Sequence, residues 1–323
     1  MGQSCLIMMA LYNGERFLAE QIESIIHQTH TNWKLIIQDD GSTDCSCAIV
    51  EQYMRIDDRI MLWRNEGPHG AYPNFHALIN KCKGMTYDFY MFCDHDDVWH
   101  PNKIESFISY YEQNCSNTEP TMIYADLRII DAKGQVLSES INNTYGMQFN
   151  LPASAFFFHN VFGCNSFFNK ALFSLVPCVD PGEEICQILS HDGYYAKFAV
   201  CYGCLLFYDM VLMDYRRYGG NVTASQVYTY KFKRIIKRMT NLDALSKDHA
   251  LAYSQSIYTI DKILQLGGAK LSDSLLLEIK ASLQNGGVKG AVVFIKQRIN
   301  CGKLIKTISR FCVLLLGKYR KYL

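Results

Sequence analysis

A run of about twenty apolar residues, the length a helix needs to cross a bilayer, is missing from this 323-residue chain. The longest uncharged apolar tract near the C-terminus is FCVLLLG at 311–317. The opening CLIMMALYNG carries no basic n-region and no small-residue cleavage site, so no signal peptide is expected. MGQSCL fails the myristoylation pattern because Leu6 stands where Ser or Thr is required. The 13 cysteines, an odd number scattered from Cys5 to Cys312, form no dense disulfide framework. Of their close pairs, Cys45/Cys47 and Cys201/Cys204, the second lies in apolar FAVCYGCLLFY, which favours small buried thiols over a four-ligand zinc site. Reduced cysteines in a cytosolic compartment are the expectation. Neither G-x-x-x-x-G-K-[ST] nor a strand-following G-x-G-x-x-G is present, so phosphate is not cradled by a helix-opening glycine loop. G-x-S-x-G and H-E-x-x-H are missing too, which disfavours serine hydrolases and zincin proteases. There is no internal repeat or low-complexity segment.

Net charge is also lacking in total, +1 from 32 Lys+Arg and 31 Asp+Glu, but the total hides an asymmetry. Residues 1–227 hold 14 Lys+Arg against 26 Asp+Glu, a net of −12. Residues 228–323 hold 18 against 5, a net of +13. With hydrophobic residues at 49% and charged residues at 20%, the composition is that of a globular protein long enough for about two domains.

The first hundred residues alternate two patterns. CLIMMAL (5–11), KLIIQDD (34–40), RIMLWRN (59–65) and YDFYMFCD (87–94) are continuous apolar runs that read as buried strands. Phe17, Leu18, Ile22, Ile25 and Ile26 recur at helical spacing, a helix is expected around Asn74–Cys82, and Pro101 opens another. Buried strands separated by helices argue for a mostly parallel α/β sheet. TMIYADLRIID (121–131), SAFFFHNVFGCNSFF (154–168) and MVLMDYRRYGGNV (210–222) are further strand-rich stretches. After about Thr223 the texture becomes helical and basic. The expected organisation is a body at 1–225, divided into halves 1–110 and 111–225, and a helical region at 226–323.

Open parallel sheets bind ligands at the carboxyl ends of their strands, which is where the carboxylates collect. Asp39 and Asp40 end the second strand; Asp94, Asp96 and Asp97 follow the fourth. Grouped carboxylates repel one another unless a cation compensates, and hard Mg2+ or Mn2+ with phosphate oxygens is the natural compensation. Helix capping competes with this reading, most evenly at Asp39 and Asp44.

Several ordered segments carry a resemblance. MMALYNGERFLAEQIESIIHQTHTNWKLIIQDDGSTD, RNEGPHGAYPNFHAL and MFCDHDDVWHPNKIE, then HNVFGCNSFFNKALF, HDGYY and YRRYGGNV, resemble family 2 glycosyltransferases of the GT-A fold over roughly residues 4–224. They follow the bacterial rhamnosyltransferase-like branch. The resemblance implies a Rossmann-like sheet and inverting transfer of a sugar from a nucleoside diphosphate to an acceptor hydroxyl. On this resemblance Ala10, Tyr12, Asn13 and Asp40 lie at the nucleotide, with Asn74 near the donor. Asp94 and Asp96 match the D-x-D pair, holding sugar and Mg2+ or Mn2+. Asp192 matches the general base; a helix N-cap role competes for it, and Glu183 and Glu184 are neighbouring alternatives. Physically, a metal offsets charge on the departing diphosphate, and a carboxylate takes the acceptor proton.

Four positions depart from the family pattern. Tyr218 stands where relatives carry His, and tyrosine is a poor divalent-metal ligand at neutral pH. Gly193 and Tyr194 replace two tryptophans after His191-Asp192, and His95 replaces a glutamine in the acidic motif. Arg216 and Arg217, with Tyr218 and His191, are candidate diphosphate or acceptor contacts; a surface role competes for the arginines.

From Lys296 to the end there are eight Lys/Arg residues and no acidic ones, interleaved with Leu304, Ile305, Ile308, Phe311 and Val313–Leu316. That spacing suits an interfacial helix on an anionic leaflet, aided by KFKRIIKR (231–238). A solvated helix packed on the body is the competing reading, and no motif supports nucleic-acid binding. The expectation is therefore a cytoplasmic enzyme, peripheral on the inner membrane face, whose acceptor is a lipid-linked saccharide in surface-polysaccharide synthesis. A nucleotidyltransferase, or a non-catalytic sugar- or nucleotide-binding module, are the alternatives.

Overall fold

The structure, a computed structural model, describes residues 2–116, 118–147, 151–158, 160–219 and 242–323. The chain runs β1 (Cys5–Leu11), α1 (Leu18–Ile26), β2 (Trp33–Asp39), α2 (Ser46–Met54), β3 (Ile60–Arg64), α3 (Ala71–Cys82) and β4 (Phe89–Cys93). These four strands pair in parallel in the order β3-β2-β1-β4. CLIMMAL is buried at every position, as a central strand covered on both faces requires. The order reverses at β1: α1 and α2 carry the chain outward to β3, and α3 returns it to the far side of β1. That reversal opens a crevice between the carboxyl ends of β1 and β4, the switch point where doubly wound sheets bind ligands.

The second half is mixed. It contains β5 (Val98–Trp99), α4 (Lys103–Asn114), β6 (Thr121–Asp131), β7 (Val136–Ser138), α5 (Ile141–Tyr145), α6 (Ser154–Phe157), β8 (Ser166–Asn169), α7 (Lys170–Leu175), α8 (His191–Tyr202) and β9 (Cys204–Arg217). β8 joins the halves by pairing antiparallel with both β4 and β6, while β9 runs parallel to β6. The two residues of β5 pair with Met213 and Asp214 of β9, which brings the end of β9 beside the loop that carries Asp94–Asp97.

The stretch 154–168, expected to be strand-rich, forms α6, a 3-10 turn at Gly163–Asn165 and only the start of β8. Its aromatic run packs instead of pairing: Phe157 sets its edge against Phe294, and Phe167 stacks on Phe107 at 5.3 Å. A short apolar run is compatible with a buried helix or a buried strand, and here burial against other layers decides.

Four helices follow, α9 (Leu242–Leu266), α10 (Asp273–Asn285), α11 (Gly287–Lys296) and α12 (Leu304–Leu316). They pack on the body rather than projecting from it. Tyr253 of α9 is fully buried between Phe157 and Tyr319, and Tyr202 donates to the carbonyls of Ile263 and Gly267. Among the described residues no helix is long and apolar enough to cross a membrane. The cluster KFKRIIKR, Asn221 of YRRYGGNV and the expected boundary at 225 lie outside the described residues.

Candidate active site

A cleft of about 820 Å³ opens at the switch point. Ala10, Tyr12 and Asn13 line it from the end of β1, Tyr72 and Asn74 from α3, and Asp94, His95 and Asp96 from the loop after β4. Gly163, His191 and Asp192 line it as well.

Local chemistry sets each of these groups. Asn13 takes a left-handed φ of 46°, which Asn tolerates, and its Oδ1 accepts from the Thr43 N–H at 2.9 Å, fastening the loop after β2. Asn74 exchanges hydrogen bonds with Gln38: its Nδ2 donates to the Gln38 carbonyl at 3.0 Å, and Gln38 Nε2 donates back to its Oδ1 at 2.9 Å. Asp40 does not line the cleft. Its carboxylate accepts from Asn65 Nδ2 and the Gly70 N–H and lies 3.0 Å from His69 Nδ1, which secures the loop entering α3.

The acidic loop divides between cleft and core. Asp94 and Asp96 line the cleft, whereas Asp97 is buried behind it and accepts the Arg216 N–H at 3.0 Å. Burial, and after it the charges of Asp96 and Asp192, push the Asp94 carboxyl up to about 7. Asp97 is raised by burial and by the charges of Asp96 and Asp94. This is unmet negative charge of the kind a cation relieves. Asp94, Asp97 and Cys164 each bring one ligand atom within 4.8 Å of the others. Burial, however, holds the Cys164 thiol well above its ordinary value, and hard cations prefer oxygen. The Lys103 ammonium, which donates to the Cys164 carbonyl, balances that buried group from below. Asp94 and Asp96, the acidic-loop carboxylates that line the cleft, are hard oxygen donors of the kind such a cation takes.

Asp192 sits in the first turn of α8, and the N-cap is Ser190 rather than Asp192. One Asp192 oxygen accepts the Gly163 N–H at 2.9 Å and the other the Gly193 N–H at 2.6 Å. Two main-chain donors therefore hold the carboxylate at the cleft lining. His191 lies flat on Phe75, ring centroids 3.8 Å apart, and edge-on to Phe92.

Arg216 is buried and outside the cleft lining: its Nη2 donates to Glu20 at 2.6 Å, its Nε to the Asp96 carbonyl, and its guanidinium covers Phe17. Arg217 is likewise outside the lining. Tyr218 does line it. Its phenol, raised by burial and then by Asp96, hydrogen-bonds the Asp96 carboxylate, and its ring rests 4.8 Å from Phe17. Tyrosine at this position thus serves as a donor to the acidic motif.

Sequence reasoning missed Tyr72, Lys197 and Arg310, all of which line the cleft. Lys197 stands five residues after Asp192 on the same helix and donates to the Gly193 carbonyl; burial first of all lowers its ammonium to about 8, against the charge of Asp192. Five residues do not place two side chains on one helix face, so the spacing gave no signal. Arg310 lies 118 residues beyond Asp192 in the chain and gave none.

The chain resembles known proteins on the same residues. The model for "Glycosyl transferase family 2" matches residues 6–173. An uncharacterized glycosyltransferase of Haemophilus influenzae is 26% identical over 94% of this chain and 95% of its own length. The dTDP-rhamnosyl transferase RfbG of Shigella flexneri is 34% identical over 36% of this chain and 41% of its own length. The Escherichia coli UDP-Glc:alpha-D-GlcNAc-diphosphoundecaprenol beta-1,3-glucosyltransferase WfgD is 35% identical over 33% of this chain and 41% of its own. Among solved structures, S. aureus TarS 1-349 in complex with UDP-GlcNAc matches with a TM-score of 0.56 at 14% identity, over 98% of this chain and 80% of that one. The mannosyltransferase PcManGT from Pyrobaculum calidifontis, in complex with GDP-Man and Mn2+, matches at 0.51 and 12%, over 98% and 87%. At such identities the structural likeness speaks for the fold alone. The family match covers more than half the sequence and runs from β1 through the acidic loop to α7, so this chain belongs to glycosyl transferase family 2.

Proposed function

We propose that the cleft transfers a sugar from a nucleoside-diphosphate sugar, dTDP-rhamnose or a UDP-hexose, to a hydroxyl of a lipid-linked saccharide in bacterial surface-polysaccharide synthesis. The observation that carries this reading is that Asp94, Asp96 and Asp192 line one cleft at the sheet's switch point. RfbG and WfgD, by name a dTDP-rhamnosyl transferase and a UDP-Glc transferase to a diphosphoundecaprenol acceptor, support the donor and acceptor classes.

In this reading Ala10, Tyr12, Asn13 and Asn74 border the nucleotide and sugar, while Asp40 acts indirectly through the loop it secures. Asp94 and Asp96 would hold Mg2+ or Mn2+, which when bound offsets the charge growing on the diphosphate. The acceptor oxygen attacks the anomeric carbon as the bond to the diphosphate oxygen breaks, and Asp192 takes the hydroxyl proton. A single displacement inverts the anomeric centre. Asp192 is suited to the role because main-chain N–H groups hold both of its oxygens at the cleft lining.

The membrane side of the reading rests on α11 and α12. Val288, Val292 and Ile295 are exposed along one face of α11, and Leu304, Ile308 and Leu315 along one face of α12. Basic residues such as Lys289 and Lys303 border these faces, the combination an anionic bilayer surface receives.

Incubation with a panel of nucleotide sugars, Mn2+ and bacterial lipid extract tests the proposal through nucleoside diphosphate release and mass analysis of the lipid product. Incorporation of nucleotide in place of sugar would favour a nucleotidyltransferase and overturn it.

A further inference from the structure

Helix α12 buries Val313 and Leu314 near its end but exposes apolar residues along another face and turns two cations toward the body. An ordinary surface helix turns its leucines inward and its cations to water. Here Leu304 is 75% exposed and Ile308 44%, with Leu315 and Leu316 beside them, while Lys306 and Arg310 lie one turn apart on the opposite, body-facing side. Arg310 lines the cleft that holds Asp192. We propose that Arg310, from the cleft lining, and Lys306, one turn before it, form a subsite for a phosphate group carried by the acceptor. Naming the occupant an acceptor rests on the transferase reading above; the anion chemistry does not.

Three observations carry it. First, neither cation has a carboxylate within ion-pair distance among the described residues, although both are half-buried. Among the described residues Arg310 Nη1 is shielded from solvent without a hydrogen-bond acceptor, the Tyr253 phenol being the polar group beside the guanidinium. A desolvated guanidinium nitrogen without an acceptor is costly, and a phosphate oxygen is the group its planar fork fits best.

Second, the two charges press on each other across aromatic walls. The Lys306 ammonium stands 3.4 Å above the Tyr145 ring and 4.8 Å from that of Phe158, and Arg310 lies 5.3 Å from Phe158. Lys306 also donates to the Tyr145 carbonyl at 2.8 Å. Burial and then the neighbouring Arg310 lower its ammonium to about 6, a penalty that a dianion between them would lift.

Third, the placement is built by the backbone. Gly302, at φ +86°, meets Gly146, at φ +65°, so closely that a Cβ on Gly302 would stand 2.2 Å from the Gly146 carbonyl oxygen. The Asn300 N–H donates to Ser154 Oγ at 3.1 Å. The start of α12 is thereby locked to the segments around α5 and α6, and the cations cannot simply swing outward with the helix. The phosphate would sit where the cleft meets a helix whose other face is apolar.

The test is calorimetric titration of the full-length chain with pyrophosphate in EDTA, where the acidic loop repels anions and the donor end cannot hold one. Binding is expected in the unaltered protein, with a loss of at least tenfold in Arg310→Gln and in Lys306→Gln and recovery in Arg310→Lys. Equal affinity in Arg310→Gln, with UDP and Mn2+ binding showing the variant intact, overturns the subsite. Farnesyl diphosphate in the same titration separates the sources. Binding tighter than that of pyrophosphate identifies a lipid diphosphate; equal binding identifies a water-borne phosphate ester. The two readings fail separately. Pyrophosphate binding that depends on Arg310 in a protein that turns over no nucleotide sugar leaves the subsite standing and removes the transferase reading. Sugar transfer with an acceptor KM unchanged by Arg310→Gln removes the subsite alone.

Discussion

The main-chain N–H of Gly163 donates to Asp192 Oδ2 at 2.9 Å, tying the 3-10 turn before β8 to the first turn of α8. A Cβ at Gly163 would stand 2.7 Å from His191 Nε2 and 3.3 Å from Asp192 Oδ2. Gly163→Ala is therefore expected to push the carboxylate off its line and lower kcat by about 10–100-fold, the scale of a small misplacement at a reacting centre. Steady-state kinetics at saturating donor, with Tm measured alongside, separates this from loss of folding.

Asp96 faces the cleft, whereas Asp97 is held behind it by the Arg216 N–H. Asp96→Asn is expected to weaken Mn2+-dependent binding of a nucleoside diphosphate at least tenfold, about 1.4 kcal/mol. Binding measured in EDTA should be unaffected. Undiminished Mn2+ dependence would move the cation site to the Asp94, Asp97 and Cys164 group.

Acid stability should report Asp214. Burial by itself would raise this carboxyl, but hydrogen bonds from His100 and the two-pronged Arg128 outweigh it and hold it at about 2. An unfolded aspartate titrates near ~3.9. Between those values the unfolded chain binds a proton that the folded one refuses, so the contribution is complete above about pH 4 and is lost as pH falls toward 2. Its size is on the order of 1–2 kcal/mol once solvent screening is allowed for. Urea titrations across this range should show a steeper loss in the unaltered protein than in Asp214→Asn, which should be the less stable of the two at pH 7.

Ile308 lies in the middle of the exposed apolar face of α12. Ile308→Glu is expected to cut partitioning onto vesicles containing anionic lipid about tenfold or more, since burying such a side chain is worth ~1.5–3 kcal/mol. Co-sedimentation that does not change would show that α12 is not the membrane contact.

The parallel half of the sheet was legible because strands covered on both faces must be apolar throughout, as Cys5–Leu11 and Phe89–Cys93 are. The stretch 154–168 was not, because rings such as Phe157 and Phe167 are equally at home in a buried helix and a buried strand. Asp94, Asp96 and Asp192 stood out by motif and resemblance, and the fold brings all three to one cleft. Arg216 read as surface or substrate contact and is instead buried against Glu20, nearly two hundred residues earlier in the chain. Arg310 was hidden for the opposite reason. In a basic tail a cation reads as solvent-facing, and only packing reveals that Lys306 and Arg310 face the body while Leu304 and Ile308 are exposed.

The central claim is tested most directly by Asp192→Asn, compared with the unaltered protein on whichever nucleotide sugar and lipid extract support turnover. The asparagine preserves volume and can still accept the Gly163 N–H, but it cannot take a proton. Nucleoside diphosphate release coupled to sugar transfer should fall by about 10²–10⁴-fold while donor binding is retained. Transfer at an undiminished rate would contradict the account.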